Sequence, residues 1–136
     1  MRRPLLDRHL HRLLPLCENS SHKRTLRGIH RLLVKKNGAE RKHDAMMLTV
    51  AYFLLRSSHE VLVEQRLPSE TETLYADVYA TKDGVSKIYE VEVFAYKGNF
   101  VPVPGSRYYR RLSKDEYFGD RIIGKVSRYW SYADEV

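Results

Sequence analysis

Thr73-Leu-Tyr-Ala-Asp-Val-Tyr-Ala-Thr-Lys-Asp-Gly-Val-Ser-Lys-Ile-Tyr-Glu-Val-Glu-Val93 holds two runs of strand-forming residues on either side of Asp83-Gly84. An Asp-Gly pair between such runs signals a two-residue hairpin turn. Lys82 then faces Val85, paired positions sum to 167, and Asp77 stands opposite Glu90. Opposed residues share a sheet face with Cβ atoms ~4.5–5.5 Å apart. The period of two adds Glu92 to that face and sends Ala76, Val78, Tyr89, Val91 and Val93 to the other, as core. A three-residue turn with a bulge at Gly84 would slip the register by one and make Asp77 and Glu90 diagonal neighbours.

Outward from the hairpin, Glu60–Leu67 alternates as a preceding strand stopped by Pro68. Before it, a helix is expected from about Glu40 to Arg56, apolar nearly all round over Ala45–Leu55 and hence buried on most sides. After it, residues 95–118 read as a long loop. Ile122, Ile123, Val126, Tyr129 and Trp130 mark a last helix over about 119–133. Two further helices are expected at the N-terminus. One covers about 4–17, bent at Pro15. The other is amphipathic, has a serine of Asn19-Ser20-Ser21 available as its cap, and is closed by Asn37-Gly38. The pair fits part of a helix-turn-helix or a basic helical hairpin packed on the main body. The expected class is α/β in the α+β sense: an α-β-β-β-α core over 39–136 behind a basic helical segment, 1–38.

The chain has 136 residues and a net charge of +7. Residues 1–43 hold 12 Lys and Arg against three acids, a balance of +9, and the remainder balances at −2. A basic segment on a near-neutral domain points to a polyanion, most simply nucleic acid. Lys23, Arg24, Arg27, Arg31, Lys35 and Lys36 on the second helix are the expected contacts. The single Cys17 excludes a disulfide framework and fits a reducing cytoplasm. No run approaches the ~20 apolar residues of a membrane span. One Gln and 15 Arg point toward a thermophilic source.

Three clustered carboxylates repel one another, and a divalent cation is one usual resolution. Oxygen donors at this density favour Mg²⁺ or Mn²⁺, with Asp77, Glu90 and Glu92 as ligands. A solvated acidic face balanced by Lys82 is the other reading; Lys87 points away from it.

A buried helix, a strand, a strand with Ala-Asp-Val, a hairpin, and a strand with apolar-Glu-x-Glu resemble the PD-(D/E)xK nuclease superfamily. This family includes archaeal Holliday junction resolvases and many restriction-enzyme domains. The resemblance covers about residues 40–136. It implies that Asp77 and Glu90 bind Mg²⁺ and that the third motif position, normally Lys, is here Glu92. Some members recruit the lysine from the following helix, which points to Lys125, one turn before Tyr129. The family also places an acid or His on its first core helix. Glu40, His43 and Met47 share a stripe there, with Asp44 a weaker candidate and a half-buried structural role the alternative for His43. The family's strand after the last helix is missing: the chain reaches Val136 about where it would begin, so the sequence is truncated there, the sheet is short by a strand, or a second copy completes it as a homodimer. The implied activity is Mg²⁺-dependent endonucleolytic hydrolysis of duplex or branched DNA, in a cytoplasm of archaeal or viral context. The alternative is an inactive nuclease-fold protein that binds DNA in replication or transcription.

Overall fold

In the computed structural model, residues 2–70, 72–91 and 127–136 are described. Helix α1 spans Leu5–Leu13 and tightens into a 3₁₀ turn, Leu14–Leu16, at Pro15. Helix α2 spans Ser20–Asn37 and α3 spans Lys42–Arg56. Strands β1 (Glu60–Leu67), β2 (Leu74–Lys82) and β3 (Val85–Tyr89) form one antiparallel sheet in that order. A 3₁₀ turn, Ser127–Ser131, follows. The class is mixed α+β.

The hairpin register is the expected one. Lys82 pairs with Val85 and Val78 with Tyr89. Asp83 and Gly84 have φ of 51° and 78°, the two left-handed residues that a type I′ turn requires. The β1–β2 ladder pairs Val63 with Val78 and Gln65 with Ala76 but skips Glu64 between them, whose φ is 51°. The skipped position is the one facing Asp77.

Helices α1 and α2 lie against α3. Leu6, Leu13, Leu26, Ile29 and Leu33 share one core with Met47, Leu48 and Ala51 of α3 and with Val61, Val63, Val78, Ala80 and Val91 of the sheet. A second cluster gathers Leu67, Leu74, Ala76, Ile88 and Tyr129, with Tyr132, Ala133 and Val136 packed against it.

Several expectations need correction. Helix α2 is capped by Asn19, whose side chain accepts the N–H of His22 at 2.8 Å, not by a serine, because the helix already begins at Ser20. Helix α3 is buried on most sides as expected, with Met46 and Phe53 exposed on the side that the sheet and the two N-terminal helices leave uncovered. Tyr89 is exposed rather than core, while Ala76, Val78 and Val91 are buried as expected. Of the last expected helix, residues 127–131 form a 3₁₀ turn; 119–126, the 95–118 segment and Val93 lie outside the described residues. Beside β3, where the family's final strand seemed missing, Glu135 makes a parallel bridge with Lys87. The Ile88 N–H donates to the Glu135 carbonyl at 2.9 Å, and the Glu135 N–H to that of Ser86 at 3.1 Å. The Lys87 ammonium meets the Glu135 carboxylate at 3.5 Å.

Candidate functional site

The β2–β3 ladder stops one pair short of Asp77 and Glu90. Side chains replace the ladder bonds there. The Val91 N–H donates to Asp77 Oδ2 at 3.0 Å, and the Asp77 N–H donates to Glu90 Oε1 at 3.3 Å. The two carboxylates that the sequence places opposite each other are thus neighbours, set where the hairpin opens.

Helix α3 brings a third member. His43, in its first turn, has Nε2 3.1 Å from Asp77 Oδ2 and Nδ1 3.0 Å from Asp44 Oδ1. Both ring nitrogens face carboxylate oxygens, an arrangement that favours the imidazolium. Its pKa rises from 6.5 to about 9: the hydrogen bond to Asp77 leads, burial opposes it, and the bond to Asp44 adds to it. For Asp77, burial works against the charged form. Hydrogen bonds from His43 and the Val91 N–H, with that involving Glu90, outweigh it and hold the pKa below the ordinary value.

Behind His43 stands Asp44, the one fully buried charged side chain among the described residues. Its Oδ2 accepts from Asn37 Nδ2 at 3.2 Å and lies 3.9 Å from Arg41 Nη1. Tyr129 closes the other side, donating its hydroxyl to the Tyr75 carbonyl at 3.0 Å. Burial, then the charge of Glu90, pushes its phenol well above the usual value.

Of the expected site residues, the structure brings together Asp77, Glu90 and His43. Glu92 and Lys125 lie outside the described residues. Glu40 precedes α3 and is exposed, so it shares no helical stripe with His43. Asp44, ranked below His43 by sequence, is the buried anchor. No local pattern marks it, because its partner Asn37 belongs to the preceding helix.

Asp77 and Glu90 supply the hard oxygen donors that Mg²⁺ or Mn²⁺ takes. No group of three His, Cys, Asp or Glu poised for a metal occurs among the described residues. At Asp77 the compensating charge is His43. The donor types suit a divalent cation, and His43 Nε2 already lies 3.1 Å from Asp77 Oδ2.

On the expected nucleic-acid face, Arg24, Arg27, Arg31 and Lys35 are exposed along α2 over roughly 16 Å. Lys23 is half-buried. Lys36 sits 4.0 Å from Glu64 and 5.6 Å from the centre of the Tyr75 ring. No helix among the described residues is long and apolar enough to cross a membrane. Comparison with family models, curated proteins and solved structures finds no match for the chain.

Proposed function

We propose that the chain is a metal-dependent DNA endonuclease of PD-(D/E)xK type. The observation that carries this reading is the meeting of Asp77 and Glu90 at the open end of a hairpin, beside a histidine from a core helix. The order of elements supports it: helix, strand, hairpin, helical turn, then a bridge parallel to β3 at Glu135. So does the row of exposed Arg24, Arg27, Arg31 and Lys35.

Asp77 and Glu90 would hold Mg²⁺ or Mn²⁺, with Glu92 as a further ligand or base. The bound ion supplies a Lewis acid for the phosphate and a water of lowered pKa. The protein's own residues do the rest. Val91 N–H and His43 fix the Asp77 carboxylate. His43 places a positive charge beside two acids that would otherwise repel. Lys125 is the proposed cation for the charge that develops on the phosphorus-bound oxygens. The α2 arginines grip the backbone.

The test is incubation of supercoiled, linear and branched DNA with Mg²⁺ or Mn²⁺. Cleavage that needs the metal supports the reading. DNA binding without cleavage on any substrate transfers support to the inactive binder, which Glu92 in the lysine position favours.

Two further outcomes are expected. Charge reversal of Arg24, Arg27 and Arg31 weakens duplex binding and lowers the slope of log K against log salt by about 3, one unit per lost phosphate contact. Fluorescence anisotropy across a salt series reads this, and an unchanged slope would leave the basic face as a solubilising surface. Lys125→Ala lowers turnover by a factor on the order of 10²–10³ with little change in DNA affinity. Single-turnover cleavage checks it, and wild-type rates would exclude Lys125 from the chemistry.

A further inference from the structure

We infer that Asp44 is a positioning residue, which holds the His43 ring with Nδ1 turned inward so that Nε2 faces Asp77. A buried carboxylate is costly unless its oxygens are hydrogen-bonded. Asp44 meets that cost with hydrogen bonds to Asn37 at the end of α2 and to His43 beside it, and with the Arg41 guanidinium 3.9 Å away. The arrangement has a polarity. Oδ2 faces the Asn37 amide and the Arg41 guanidinium, both donors, and only Oδ1 faces the ring. That leaves Oδ1 as the acceptor placed to take the Nδ1–H.

The contact is not a by-product of the helix. Consecutive helical residues point about 100° apart and do not face each other. The two side chains meet because Asp44 is drawn inward, at 0% exposure, while His43 leans across the helix end at 22%. Released from Asp44, the ring could turn toward solvent and leave Asp77. The consequence for cleavage rests on the proposed nuclease reading. The geometry does not.

The test reads the His43 ring directly by long-range ¹H–¹⁵N NMR of the metal-free protein at neutral pH. Wild type should show a protected Nδ1–H resonance. In Asp44→Asn, the Asn37 amide and the nearby Arg41 charge hold the new amide's oxygen, so its NH₂ faces Nδ1 and the Nδ1–H signal should vanish. In the swap Asn37→Asp with Asp44→Asn, the new carboxylate takes that NH₂, the amide oxygen returns to Nδ1, and the signal should reappear. A purely structural Asp44 would give no such loss and recovery. A folded Asp44→Asn that keeps the signal overturns the inference, as does a swap variant that is folded and lacks it. Should the single variant not fold, a folded wild type without the Nδ1–H signal overturns it equally. In the cleavage assay, Asp44→Asn should lower kcat about 10–100-fold, the usual range for a residue supporting a ligand shell. KM for DNA should be unchanged and the swap should recover the rate. A wild type that does not cleave removes the nuclease reading and leaves the NMR result standing.

Discussion

Asp77→Asn is expected to abolish metal-dependent cleavage, lowering kcat by about 10³-fold or more while DNA affinity holds. The amide has nearly the same shape as the carboxylate. Its oxygen can still accept the Val91 N–H or a His43 N–H, so the hairpin keeps its register. What goes is the negative charge. A metal contributes several kcal/mol of transition-state charge stabilisation, and each 1.36 kcal/mol is tenfold in rate. Plasmid nicking under single-turnover conditions measures kcat, and anisotropy measures affinity. Wild-type rates from Asp77→Asn would place any active centre elsewhere.

A second large effect is on stability against pH. His43 has its pKa raised from 6.5 to about 9 in the folded chain, so the fold binds its proton more tightly than the unfolded chain does. The resulting stabilisation is fully present below about pH 6.5 and is lost as pH climbs through about 9. Its size, from the gap between the two values, is about 3 kcal/mol. Asp77 works in the opposite sense: with its folded pKa depressed, its contribution is present above the unfolded value and fades as pH falls. Both describe one ion pair and are not to be added. Urea midpoints should drop between pH 6 and pH 9 in wild type and stay nearly level in His43→Gln. Equal slopes for the two proteins would mean that the pair does not stabilise the fold.

The sheet was legible because each strand alternates and Asp83-Gly84 admits the two positive φ angles of a type I′ turn. That one dipeptide set the register, and with it the meeting of Asp77 and Glu90. His43 was reachable from its helical position. Asp44 was harder to read, since an acid in the first turn of a helix is ordinarily an exposed partner of the helix dipole. Its burial depends on Asn37 folding back from another helix, a contact with no local pattern. Tyr129 was read as a helical neighbour of Lys125. It belongs instead to a 3₁₀ turn whose ring packs with Ile88 and lies beside Glu90. The bridge at Glu135 was invisible because a single paired residue has no alternation to detect.

If Asp77 and Glu90 hold a divalent cation, Mn²⁺ bound there broadens the NMR signals of the groups beside them. Substoichiometric Mn²⁺ added to ¹⁵N-labelled protein should first extinguish the backbone amide signals of Asp77 and Val91, the two whose N–H groups bond to these carboxylates. Excess Mg²⁺ should restore them, and Asp77→Asn should blunt the effect. Broadening centred on other residues, or none at stoichiometric Mn²⁺, would contradict a metal site at these carboxylates.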